Sequence, residues 1–386
     1  VRREWAEDDG ERDGGADELA GRVQRRGVRL PFITWERAGV VVAILALAAL
    51  FADPDEIQTR VGGERMLDGH LGLIESLRFS ADGKTLLSSG WDQTVRVWDV
   101  EPGPSDEFGR ELACLKVSSE VYAAEMSPDG RTVAVAGLDG LTLWDWQDPS
   151  TPIRTLEGLG PSRSLTFSPD GRTLALGEFD HRIRLLDVET GRPGPVLEGH
   201  RDVVRKVAFT PDARRLLSLS YDGRLKAWDL STGEESDFYR ALDEVGEPIL
   251  TFALDPVAGR LAVSRYHSDA RRIEIWDVSR GTLARHCEAG DTVHALAFSQ
   301  DGSVLASTGA DLRVRFWNPA DGRAAGALDG EQGWVRALDF SADGRWMALT
   351  SLPDQVLLKP IVVPRLAAGP STPRGRSDAS RTPGEA

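Results

Sequence analysis

From residue 74 onward the chain alternates apolar and polar positions in short runs, each closed by a turn signal. In "IESLRFSADGKTLLSSGWDQTVRVWDV" one run ends at Phe79 before "SADG", a second ends before "WDQ", and a third ends at Trp98-Asp99. Period-two alternation predicts half-buried strands. Asp-Gly between two such runs predicts a tight turn, because Gly accepts positive φ and Asp bonds its own backbone.

The pattern recurs with anchors at Trp98, Trp144, Leu186, Trp228, Trp276, Trp317 and Leu358, separated by 46, 42, 42, 48, 41 and 41 residues. A fixed period in this range marks a repeat architecture. Each copy predicts three strands, the first ending at Phe79, Met126, Phe167, Phe209, Leu254, Phe298 or Phe340. A further strand follows, as in "RPGPVLEGH", so the unit is a four-stranded antiparallel meander.

One such sheet leaves a face uncovered. Radial stacking of seven copies covers both faces and predicts an all-β, seven-bladed propeller. The seventh copy lacks an obvious fourth strand, whereas "GERMLDGH" before the first copy matches "GPVLEGH" at 194–200. Residues 64–67 are therefore expected to complete the last blade and staple the chain ends together.

The repeats carry residues that resemble the WD40 repeat family over about 300 of the 386 residues. Copy one has Gly69-His70, Asp92 and Trp98-Asp99; copy four has Gly199-His200, Asp222 and Trp228-Asp229. The resemblance implies a hydrogen-bonded structural brace in each: His70, Ser88, Asp92 and Trp98, then His200, Ser218, Asp222 and Trp228. The other copies lack the His, which leaves their braces incomplete.

The resemblance also implies a binding face at one mouth of the ring, built from two sets of positions. The residue before each turn Asp gives Trp91, Leu138, Phe179, Tyr221, Ala310 and Pro353, with copy five departing because "RYHSDARR" is longer. The position four before each inner-strand anchor gives Glu75, Tyr122, Arg163, Arg205, Leu250, His294 and Arg336, with Trp334 close by. Trp, Tyr and Arg dominate interface energetics. Trp91, Phe179, Tyr221, Tyr122, Arg163, Arg205, Arg336 and Trp334 are thus the expected contacts to an extended peptide or protein segment, expected to be acidic. The competing reading has the arginines neutralising turn aspartates and the aromatics covering loop backbone.

Ahead of the repeats the pattern changes. Residues 1–37 are polar and acid-rich, then basic, and are expected to be disordered; 38–52, "AGVVVAILALAALFA", is an uncharged apolar run; 53–63 is a linker to a propeller over 64–363; and 364–386 reads as a disordered tail. Fifteen helical residues rise about 22 Å against a hydrocarbon core of about 30 Å, so the run needs flanking residues to span. A short hydrophobic helix before the propeller is expected, acting as a single-pass anchor or a cleaved signal peptide. The flanking charges would place the propeller outside the cytoplasm. That layout is similar to bacterial membrane-anchored WD40 proteins.

The net charge of −15 excludes general attraction to nucleic acid. Two cysteines, Cys114 and Cys287, form no disulfide or metal pattern and read as small buried residues. "DGKT" at 82–85 lacks the earlier Gly of a phosphate loop and recurs as "DGRT" in other turns. Cys287, Asp291 and His294 fall on a strand and loop that other copies fill with unreactive residues. No cofactor or metal is expected, and the expected function is a non-catalytic, membrane-tethered interaction scaffold. The alternatives are a regulatory propeller associated with a membrane signalling kinase and an extracytoplasmic propeller enzyme, a hydrolase or lyase.

Overall fold

A computed structural model describes residues 58–59, 63–101, 108–156, 158–236, 242, 247–266, 271–328 and 335–362. Among them the chain forms seven antiparallel sheets arranged as the blades of a propeller. The inner strands are Ile74–Phe79, Val121–Met126, Ser162–Phe167, Val204–Phe209, Ile249–Leu254, Val293–Phe298 and Leu338–Phe340. They pack in chain order, and the last returns to the first, which closes the ring.

The core is divided as a ring of sheets requires. Each of seven apolar clusters draws from two neighbouring blades: Val97 and Leu87 of blade one meet Val135 and Trp144 of blade two, for example. At the closing junction Ile74, Leu77 and Trp98 meet Ala348, Val356 and Leu358. No blade buries its apolar side chains alone, so the roughly 1.5–3 kcal/mol from covering each large one depends on its neighbour.

The turns within blades form as the Asp-Gly signal predicts. Ser80 Oγ donates to Asp82 Oδ1 at 2.6 Å, the Lys84 amide donates to the same oxygen, and Gly83 takes φ 70°. Blades two, three, six and seven repeat the arrangement with Ser127, Ser168, Ser299 and Ser341. In blade four the positive-φ position is Ala213, and in blade five Asp255 takes the serine's place and pairs with Arg260.

Closure follows the expected route. Arg65–Asp68 pairs antiparallel with Gln355–Val362, with Leu67 opposite Val356. Gln58–Thr59 adds to the far end of the same strand, which makes the last sheet five-stranded.

Three expectations are corrected. Blade four has three strands rather than four: after Leu225–Asp229 only an isolated bridge between Trp228 and Glu235 forms among the described residues. The segment there, "STGEESD", lacks the alternation that would seat an outer strand. No helix precedes the propeller among the described residues, where the first elements are the two strands of the clasp. No described helix is long and apolar enough to cross a membrane, so the span and the cell-membrane, extracytoplasmic placement built on it are withdrawn. The run 38–52 lies outside the described residues.

Candidate functional site

The four-residue brace assembles in both copies where its residues occur. His70 Nδ1 lies 2.9 Å from Asp92 Oδ2 and Nε2 2.7 Å from Ser88 Oγ, which also accepts from Trp98 Nε1 at 2.8 Å. In blade four His200 is 3.0 Å from Asp222 and 2.7 Å from Ser218, and Trp228 donates to Ser218 at 2.8 Å. Burial works against the Asp92 charge, but hydrogen bonds from His70, the Leu71 amide and Thr94 hold its pKa down to about 2. Asp222 is held lower still by His200 and the Arg201 and Arg224 amides.

Blades without the His find other partners. Trp317 donates to Ser307, Trp144 to Thr142 and Trp276 to Glu274, which also binds Arg265. In blade three, where the Trp is missing, Arg184 bonds Glu178 through two nitrogens. The anchor indoles of Trp98, Trp144, Trp228, Trp276 and Trp317 are all satisfied, as burial of an N–H donor demands.

The mouth is built by a defect repeated in the inner strands. Each of the first six slips register by one residue: at Glu75, Tyr122, Arg163, Arg205, Leu250 and His294. A bulge breaks strict alternation and re-aims side chains. Consecutive residues such as Arg163-Ser164 and Arg205-Lys206 consequently line one channel of about 210 Å³.

Loops after the second strands cover the same end. The Trp91 amide donates to Leu73 O, Phe179 to Pro161 O, and Tyr221 to Val203 O, tying each loop to the residue before an inner strand. The same bond runs from Tyr266 to Pro248 O in blade five. Tyr266 is thus the ring member that counting back from a turn Asp missed. Counting forward from the strand end, where "SRY" matches "LSY", would have found it.

The aromatic members differ in exposure. Trp91 is 44% and Tyr221 55% exposed, whereas Phe179 is half-buried against Tyr122, ring centroids 5.5 Å apart. Leu138 and Tyr266 are also exposed. Trp334 lies outside the described residues.

The arginines differ too. Arg163 donates to Glu75 at 3.1 Å and sits 4.7 Å from the Tyr122 ring centroid. Burial opposes its charge, but Glu75 and the Tyr221 phenol raise its pKa overall. Arg336 approaches the same Glu75 at 3.5 Å and stays 44% exposed. Arg205 stacks 5.3 Å from the Tyr221 centroid and donates to the carbonyls of Ile249 and Leu250. The turn aspartates Asp92, Asp222 and Asp311 pair with His70, His200 and Arg315 rather than with the mouth arginines.

Arg78, Glu125 and Lys206 also line the channel, with Asp339 buried near Arg78 and Lys206. Burial pushes Glu125 up to about 7 and Lys206 down to about 7, and it raises Asp339. A polar channel of this kind is one requirement of an active site within it. Among the described residues, however, no group of three His, Cys, Asp or Glu side chains is placed to hold a metal. Cys287 is fully buried in an outer strand, where desolvation pushes its thiol up to about 12. It is no nucleophile at neutral pH. Cys114 is only partly buried, less than expected, and both thiols are free.

Comparison with known proteins agrees with the geometry. The family model for the WD domain, G-beta repeat, matches residues 64–99, 150–187, 191–229 and 278–318. Meiotic recombination protein rec14 of Schizosaccharomyces pombe is 33% identical over 137 residues, 35% of this chain and 44% of that protein. Periodic tryptophan protein 2 homolog of the same yeast is 31% identical over 148 residues, 32% of this chain and 16% of its own length. The guanine nucleotide-binding protein subunit beta of Arabidopsis thaliana is 29% identical over 290 residues, 72% of this chain and 65% of that subunit. The chain thus spans less than two thirds of each of these relatives. The likeness extends to the repeats and carries no support for a bacterial or membrane-anchored subtype.

Proposed function

We propose, from the premise that the chain belongs to the WD40 repeat family, that it is a non-catalytic binding scaffold whose bulge-lined mouth holds a protein or peptide segment. The observation that carries this reading is the grouping of Trp91, Tyr221 and Tyr266, all exposed, around a mouth that also presents Arg205 and Arg336. Large aromatics left in water beside guanidinium groups are the composition of interface hot spots. Burying a Trp or Tyr there adds apolar contact without ordering a flexible side chain. The surplus of arginine over carboxylate favours an acidic segment. The repeat-family relatives are matched over only part of their lengths, so their partners are not transferred.

Photo-crosslinking from position 221 in the native cell, followed by binding measurements on the captured protein, tests the reading. Trp91→Ala combined with Tyr221→Ala is expected to weaken binding by about 10- to 100-fold, the range of a hot-spot truncation of roughly 1.4–2.7 kcal/mol. A crosslinked partner that binds the double variant as tightly as the parent protein would sink it.

A further inference from the structure

The upper channel holds an excess of positive charge that the protein itself does not neutralise. Arg78, Arg163, Arg205, Lys206 and Arg336 line it against two carboxylates, Glu75 and Glu125, with Asp339 near enough to act on the Lys206 charge. Glu75 is already shared by Arg163 and Arg336. Arg205 faces backbone carbonyls and a phenol ring, with no carboxylate bonded to it, and its Nε is buried without a hydrogen-bond partner. Lys206 donates to Phe252 O at 2.6 Å and lies over the Phe252 ring, again with no carboxylate bonded to it.

In a protein of net charge −15 this concentration of unpaired cations is costly in isolation. Buried charges are ordinarily paired, and pairing is what the same fold achieves at Arg184–Glu178 and Arg265–Glu274. Electrostatics show the strain: burial depresses the pKa of Arg205, and burial with the neighbouring Arg78 and Arg205 charges outweighs the pull of Asp339 and brings Lys206 down to about 7. The bulge between Val204 and Lys206 is what turns both cations toward one space.

That space has a definite size. Arg205, Arg336, His294 and Glu75 line both the channel and a recess at its mouth of about 220 Å³. Pockets for drug-sized ligands run to about 300–1,000 Å³. The recess is smaller than these, yet roomy for a single oxyanion and some waters at ~30 Å³ each.

We infer that Arg205, Lys206 and Arg336 form a site for one oxyanion, a carboxylate or phosphate group, at the mouth of the channel. Arg205 and Arg336 line the recess and offer N–H donors, and Lys206 adds a cation in the adjoining channel. Guanidinium forks match the oxygens of such groups in pairs. The proposal rests on the reading of this mouth as the docking face and names the group that the partner would insert. The same chemistry is met by an acidic side chain of a peptide or by a free small anion.

Calorimetric titration of the purified full chain at constant ionic strength separates the sources. The probes are citrate, sodium tripolyphosphate and a glutamate-rich peptide. Saturable one-to-one binding of at least one probe is expected, weakened tenfold or more in Arg205→Gln and in Lys206→Met. Arg345→Gln, in the exposed turn between the first and second strands of blade seven at the other end of the sheet, is expected to leave it unchanged. Citrate or tripolyphosphate binding assigns a free anion, whereas peptide binding alone assigns an acidic side chain. Should Arg205→Gln fail to fold, the half-exposed Arg336→Gln carries the same expectation. Binding insensitive to all three mouth variants, or absent with every probe, overturns the oxyanion site. A crosslinked partner that still depends on Trp91 and Tyr221 would then leave the docking face standing without it.

Discussion

The two polar clusters of this propeller follow opposite rules. In the braces of blades one and four, Ser88 or Ser218 joins a His and a Trp, while the His also reaches an Asp, and each of these contacts is 3.0 Å or shorter. At the channel mouth, Arg205 and Lys206 are spent on backbone carbonyls and ring faces. A satisfied network stabilises the fold that contains it, and its residues are explained once the blade is. Charges that no carboxylate bonds are left unexplained by folding, and this points to something that binds there.

The contrast is sharpened first at the clasp, where the largest stability effect is expected. Leu67 is buried opposite Val356, and Leu67→Ala removes the apolar contact that seals the last blade to the first. A loss of about 3 kcal/mol is expected from urea denaturation, in the range for a buried Leu truncation. A loss under about 1 kcal/mol would mean that closure does not depend on this strand.

Within the braces, Ser218→Ala strips the shared oxygen from both His200 and Trp228 and should cost about 2–3 kcal/mol, because two buried polar groups lose a partner. Ser307→Ala in blade six strands only Trp317 and should cost about half as much. Equal losses would show that the His adds nothing to the blade.

Acid should act on the same network. The Asp92 pKa is depressed to about 2 in the fold against an ordinary value near 3.8. Its contribution is therefore present above about pH 4 and is lost as pH falls through 2. About 2 kcal/mol should disappear over that window, and Asp92→Asn should flatten that part of the pH profile. An unchanged profile would remove the carboxylate from the brace.

The clusters also differed in how far they could be read from the chain. His70, Ser88, Asp92 and Trp98 were legible because a repeat places each at a fixed distance from a turn, and the turn is marked by Asp-Gly. The closing strand was legible because "MLDGH" repeats the spelling of "VLEGH". The mouth was legible only as a set of positions. That Arg163 is tied to Glu75 across 88 residues, while Arg205 has no such partner, depends on which side chains the bulges turn inward, and a bulge has no spelling. Tyr266 was lost because blade five lengthens the loop from which its place was counted. The apolar run at 38–52 drew a membrane reading that needed flanking residues to reach across a bilayer.

The smallest stability effect is expected where function is claimed. Arg205→Gln together with Lys206→Met removes two buried charges that no carboxylate bonds and keeps most of each side chain's stem. The measurement that bears most directly on the difference between the clusters is the urea midpoint of this double variant, read beside Ser218→Ala at pH 7. A midpoint equal to or above that of the parent protein is expected, since no ion pair is broken. A fall as large as that of Ser218→Ala would contradict the claim, because it would make the mouth cations part of what holds the propeller together.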